Sequence, residues 1–245
     1  KIKSLALSHG GTIGHYKNWP YVFFYLIKNK YSYYQIFSNK IKKSLLKTFQ
    51  LYKTFYFKNL IVIPSFSLIK LKETNFYKNN QKHSEKIKKV CYICSKNFHI
   101  SDLKRKEHSN KNLLQLRLKI IKIFKKNPNI KFIIKNYPDE NFLFNRKNNF
   151  SKNIIYISNG IVKEMNHEFD LFILESESTS LVEVSCLNKR VICLQREHPK
   201  ILKSNYKQLK KSVLFNKKGT KFLKTIEHSL KIKKLKKFTK CSFAN

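Results

Sequence analysis

The stretch Asp170–Leu194, DLFILESESTSLVEVSCLNKRVICL, decides the fold. Asp170–Leu174 is a short, fully apolar run, the pattern of a strand covered on both faces. The chain then passes through an acidic-hydroxyl loop. Ser178–Leu187 follows and reads as a helix with Ser178, Thr179 and Ser180 in its first turn, where hydroxyls cap free amides. Arg190–Leu194 is a second apolar strand. Strand, helix and strand in so short a span describe a crossover between two parallel neighbours.

Working outward, the same alternation continues on the N-terminal side. Lys88–Cys94 is a buried-strand candidate, and Asn112–Lys126 carries Leu113, Leu116, Ile120, Ile121 and Phe124 at helical spacing. Asn127-Pro128-Asn129 stops that helix before the strand Ile130–Lys135. Asn153–Ile157 is a further strand, with a short helix expected near Val162–His167. On the C-terminal side, Arg190–Leu194 is expected to close the series of strands and Gly219–Ile232 to form a terminal helix. The pattern predicts an α/β fold: a Rossmann-like parallel sheet with helices on both faces over 87–235, with an irregular α+β domain as the alternative. Residues 75–86 are polar and charged without apolar periodicity and read as a linker, and 236–245 as a basic tail. Before the linker, 1–74 reads as the C-terminal part of a second α/β domain. Its elements are a strand over Lys3–Ser8, an aromatic helix at Tyr21–Lys30, a strand at Tyr33–Phe37, a helix at Lys40–Phe49 and a strand in Leu60–Ser65. The chain opens on Lys1 rather than Met and reads as a segment of a longer protein.

Composition sets a second constraint. The net charge is +38 over 245 residues, which invites nucleic acid or an anionic surface as partner. Yet only five of the 52 basic residues are Arg, the side chain whose planar fork suits phosphate. Lys, Asn, Ile, Phe and Tyr, the residues of A/T-rich codons, make up more than half the chain. Codon drift therefore accounts for most of the charge, although attraction to anions follows whatever its origin. With 42% hydrophobic residues the chain is no disordered basic tail. The five cysteines read as reduced core residues. Cys91 and Cys94 have CxxC spacing but fall on opposite faces of a strand, and no second pair or paired histidine completes a zinc set. No apolar stretch approaches the roughly 20 residues of a membrane-spanning helix.

Three segments carry chemistry. Ser8-His9-Gly10-Gly11-Thr12-Ile13-Gly14 gathers three of the five glycines after a strand, a tight turn that exposes backbone amides. It is neither a phosphate-binding GK[ST] loop nor the GxGxxG dinucleotide turn. His9 stands where an imidazole serves as a base or donates to phosphate. Glu175–Glu183 places acidic and hydroxyl groups after the C-terminal end of a parallel strand, where such sheets bind ligands, with Glu183 about a turn and a half into the helix. Lys135, ending its strand before Asn136-Tyr137-Pro138, is placed to pair with phosphate.

Taken together, Lys135–Pro138, Glu175–Glu183, the strand RVICL and His9–Gly14 resemble GT-B glycosyltransferases. More narrowly, they resemble bacterial transferases that build surface polysaccharide: capsule and lipopolysaccharide glycosyltransferases and CDP-glycerol glycerophosphotransferases. The usual forms there are K-x-HP and D-x-S-S/T-x-x-x-E, with an HG turn closing a strand of the N-terminal half. The resemblance runs from Ser4 to about Ile232. It implies His9 as the catalytic base on the acceptor side, with Gly10, Gly11, Thr12 and Gly14 as the acceptor or phosphate turn. It implies donor binding by Lys135, Glu175, Ser176, Ser178, Thr179 and Ser180, and by Glu183 at the ribose. It further implies no metal and no cofactor beyond a nucleotide-activated sugar or CDP-glycerol-like donor. A glycan or lipid-linked acceptor and a cytoplasmic location, peripheral to the anionic inner face of the membrane, complete the expectation. Two positions depart from the pattern: Asn136-Tyr137 replaces the His before Pro138, and Glu175 stands where Asp is usual. A non-catalytic homologue, a sugar-nucleotide epimerase of the same architecture and a nucleic-acid-binding protein are the alternatives. The chain has no signature of a nucleic-acid-binding module, so no specific nucleic acid is expected.

Overall fold

The structure is a computed structural model that describes residues 5–6, 33–36, 39, 42–43, 46, 60–63, 87–95, 110–136, 151–157, 169–185, 187, 189–195, 206–207, 209–210 and 212–232. Two parallel sheets contain all the described strands. In the first, β1 (Leu5–Ala6), β2 (Tyr33–Ile36) and β3 (Leu60–Val62) lie side by side in chain order. Asn39, Lys42, Lys43 and Leu46, just after β2, are helical, as the pattern over Lys40–Phe49 predicts.

The second sheet has six strands. These are β4 (Lys89–Ile93), β5 (Lys131–Lys135), β6 (Ile154–Ile157), β7 (Leu171–Leu174), β8 (Arg190–Leu194) and β9 (Val213–Asn216). Every pairing is parallel and the spatial order is β6-β5-β4-β7-β8-β9. Numbered within the sheet this is 3-2-1-4-5-6, the Rossmann order, in which the winding direction reverses between β4 and β7.

Burial explains the sequence pattern strand by strand. The central strands β4, β5, β7 and β8 are buried along almost their whole length, so KVCYI, KFIIK, LFIL and RVICL are nearly continuous apolar runs. The edge strand β9 is buried only at its two ends, Val213 and Asn216. That is why the expectation that Arg190–Leu194 closes the series fails. VLFN is a four-residue edge strand with one neighbour, too short a run to carry a periodicity.

Among the described residues, three helices flank the six-stranded sheet with their bounds defined: α1 (Asn110–Lys125), α2 (Thr179–Ser185) and α3 (Gly219–Lys231). Side chains of β4 alternate between two cores. Val90, Tyr92 and Cys94 join the helices α1 and α3 through Ile120, Phe124, Phe222 and Ile226. Cys91 and Ile93 face the other way, toward Leu181 and Val184 of α2. Cys91 and Cys94 therefore lie on opposite faces, as strand alternation requires, and both are buried thiols. In the first core, Phe124 stacks on Phe132 at 4.0 Å, and Tyr92 meets Phe124 edge-on at 5.9 Å.

Two side chains fix the ends of these elements. Asn153 donates its amide to the carbonyls of Asn127 and Ile130 at 3.0 Å and of Phe124 at 3.4 Å, closing the C-terminal end of α1 against β6. At the N-terminal edge of the sheet, Asp170 Oδ2 accepts from the backbone N–H of Lys88 (2.8 Å) and Lys89 (3.0 Å), locking β7 to β4.

Candidate functional site

Because all six strands are parallel, their C-terminal ends share one edge of the sheet. Lys135 ends β5, Ser95 follows β4, and Glu175–Ser178 follows β7. The ladder continues past the strands: Cys94 N–H donates to Lys135 O at 2.9 Å and Glu175 N–H to Ile93 O at 3.3 Å. The loop that joins β7 to α2 therefore starts at the point where the winding reverses, the place where open α/β sheets form their ligand crevice.

Strand parity sorts the residues of this edge. Leu174 belongs to the core under α2, so Glu175, the next residue, turns to the opposite face, toward α1. There its carboxylate meets Arg117. The guanidinium grips it bidentately, with Nε–Oε1 and Nη2–Oε2 both at 2.8 Å. Oε1 also accepts from the Tyr92 hydroxyl, and Oε2 from the backbone N–H of Ser95 at 2.7 Å and its hydroxyl at 3.1 Å. Arg117 Nη2 donates in addition to Ser95 O at 2.6 Å. Five hydrogen bonds from the protein itself thus occupy Glu175, which is 3% exposed, while Arg117 is 1% exposed.

The electrostatics follow from burial. Desolvation alone would lower the pKa of Arg117, but its hydrogen bonds and charge pairing with Glu175 outweigh this and raise it. Burial pushes the Tyr92 hydroxyl well above its ordinary value, and the Glu175 charge pushes it further, so Tyr92 is a permanent donor. Tyr156, on β6, is raised by burial as well, with the nearby Cys94 second.

On the other face stand Lys135 and α2. Lys135 shares the parity of Ile133, which packs in the α2-side core, and its charge reaches Cys91 on that face. Lys135 is buried, as are Ser176 and Glu177, while Ser178, Ser180 and Glu183 are half-buried. The Thr179 backbone opens α2, and Leu181 and Val184 anchor the helix to the sheet. Asn136, next to Lys135, extends the ladder by donating its N–H to Ile157 O at 3.0 Å.

The structure thus brings Glu175, Ser176, Ser178, Thr179, Ser180 and Glu183 to one edge with Lys135, but it divides them between two faces. His9, Gly10, Gly11, Thr12 and Gly14 lie outside the described residues, as do Tyr137 and Pro138. Among the described residues no group of three His, Cys, Asp or Glu side chains could hold a metal. Sequence reading missed Arg117, Tyr92 and Ser95. A signal for Arg117 was present: it is a rare Arg placed four residues after Leu113 and seven before Phe124, on the apolar stripe, whereas Lys111, Lys119, Lys122 and Lys125 are exposed.

No family model matches the chain, and no curated protein matches it in sequence. Among solved structures it is similar to MnaA of S. aureus, determined with UDP, at a TM-score of 0.51 and 10% identity over 85% of this chain and 56% of that one. It is also similar to the wall teichoic acid polymerase TagF, with a TM-score of 0.41, 10% identity and coverage of 83% and 50%. The glycosyltransferase SnogD from Streptomyces nogalater gives a TM-score of 0.36 and 8% identity, with coverage of 78% and 58%. The chain spans little more than half the length of MnaA. The likeness to MnaA is one of fold, and it agrees with the sheet order: the chain has an α/β, GT-B-like architecture.

Proposed function

We propose that this chain is part of a nucleotide-sugar-dependent transferase that moves a sugar, or a glycerophosphate-type unit, onto a surface-polysaccharide acceptor. The observation that carries the reading is the loop Glu175–Ser178 at the winding reversal of a 3-2-1-4-5-6 sheet, with Lys135 at the same edge. The UDP held by MnaA, a protein of similar fold, is in keeping with a nucleotide donor. Ser178, Thr179 and Ser180 then serve the donor phosphates, Lys135 adds positive charge, and Glu183 takes the ribose. Glu175 and Arg117 stand behind this loop and hold it. His9 is the proposed base on the acceptor hydroxyl, with the Gly10–Gly14 turn beside it. In such a reaction charge develops on the departing nucleotide phosphate, and fixed cations and amides stabilise it without a required metal. A glycan or lipid-linked acceptor at the inner face of the membrane suits the cationic surface.

Binding tests the reading first. UDP, CDP or CMP is expected to raise the thermal midpoint, and the double substitution Ser178→Ala, Thr179→Ala to remove most of that shift. Equal protection of the double variant would move the site elsewhere. A survey of labelled nucleotide sugars, following both release of nucleotide and the stereochemistry of the recovered sugar, separates transfer from epimerisation.

A further inference from the structure

The two strands that flank the winding reversal are joined by more than their own ladder. Arg117 reaches out of α1 and contacts a residue just past each: Ser95 O, two residues after β4, at 2.6 Å, and both carboxylate oxygens of Glu175, the first residue after β7, at 2.8 Å. Glu175 returns the contact by accepting from Ser95 N–H and Oγ–H. Every polar atom in this knot has a defined direction. The guanidinium is planar, its Nε and Nη2 face the two carboxylate oxygens in parallel, and Nη2 is shared with a carbonyl. Tyr92 closes the far side, wedged by Phe124. Tyr92, Arg117 and Glu175 are buried, and Ser95 is half-buried.

We infer that Arg117 is a positioning residue for the donor: its guanidinium sets the spacing between Ser95, just past β4, and Glu175, just past β7, and thereby the alignment of Ser176–Ser180. The inference rests on the donor reading above and deepens it. Arg117 acts through Glu175 and Ser95, the groups it holds. A lysine keeps the charge but is a single point donor on a flexible stem, so it cannot hold two oxygens and a carbonyl in one plane. A matched apolar pair can replace the buried charges without a stability deficit, yet it carries no directional link between the loops.

The test uses the full chain, with UDP and CDP titrated by calorimetry and thermal midpoints measured in parallel. Arg117→Lys is expected to keep the fold and to weaken nucleotide binding tenfold or more. Arg117→Met alone is expected to lose both stability and binding. Adding Glu175→Leu to it is expected to restore the midpoint while leaving affinity at least tenfold down. Affinity that returns together with the midpoint in the double variant, or that is unchanged in Arg117→Lys, overturns the inference. Should the double variant not fold, Arg117→Lys alone decides. If Arg117→Lys binds like wild type while Ser178→Ala, Thr179→Ala does not, the donor reading stands and the positioning role falls. If the wild-type chain binds neither nucleotide, both fall.

Discussion

Glu175 shows how one residue's role depends on which way its strand turns it. In the sequence it heads an acidic-hydroxyl loop and reads as a ligand contact. In the structure it is the acceptor for Arg117, Tyr92 and Ser95. Such a buried pair costs desolvation on both sides, so its worth is asymmetric. Arg117→Met alone is expected to lower unfolding stability by about 3–5 kcal/mol, because a buried carboxylate is left without its cation. Glu175→Gln, which keeps the shape and one acceptor oxygen, should lose roughly 1.5–3 kcal/mol, the range for a charged hydrogen bond. Urea unfolding of the two variants checks the order. The thiols make a second prediction at this scale. Burial pushes Cys91 from 9.0 up to about 12, so its native state holds a proton that the unfolded chain releases. That contribution to stability is complete below about pH 9 and is lost as pH rises toward 12. Tyr92, also raised, acts in the same direction. Denaturant midpoints should therefore fall above pH 9. Peptide mapping after alkylation at pH 8 should find Cys91, Cys94 and Cys193 unmodified in native protein and modified after denaturation.

Among the elements, α1 matters most, since it carries both Arg117 and the stripe that covers β4 and β5. Its C-terminal end depends on a residue from another element, the Asn153 side chain, with Asn127 bonding back to Ile123 O at 2.8 Å. Asn153→Ala should cost about 1–3 kcal/mol, measured by chemical unfolding, because buried carbonyls lose their donor. At α3 the opposite change is expected. A Cβ on Gly219 would meet Leu116 Cδ1 at 3.6 Å, an ordinary contact, and no special backbone conformation holds the glycine there. Gly219→Ala should be neutral or stabilising by up to about 1 kcal/mol, read from the thermal midpoint. β9 belongs to the same scale: its four residues pair in parallel with β8 alone among the described strands.

Across the whole molecule, the charge of +38 is carried almost entirely by lysine. The two described arginines, Arg117 and Arg190, are both buried, and Arg190 has its pKa lowered by that burial. Among the described residues the exposed cations are thus point charges without bidentate geometry. Duplex and single-stranded DNA should bind weakly and without sequence preference at about 50 mM salt, and release by about 200 mM, as counterion release dictates. Fluorescence anisotropy across that salt series measures it; tight binding persisting at high salt would favour the nucleic-acid alternative.

The sequence by itself determined the α/β class, the parallel sheet and the loop at the end of β7. These depend on local pattern: unbroken apolar runs such as LFIL and RVICL read the same wherever the chain goes, because a strand covered on both faces has no polar side. It also placed Cys91 and Cys94 on opposite faces, since alternation is a property of the backbone. Tertiary structure alone decided the strand order, and with it that β4 and β7 are neighbours although about 80 residues separate them. That adjacency puts Ser95 beside Glu175 and lets Arg117, 58 residues before Glu175, close on both. Local pattern cannot report which distant strands pair, nor which charged groups meet in the dry interior, because both are set by packing between elements remote in the chain.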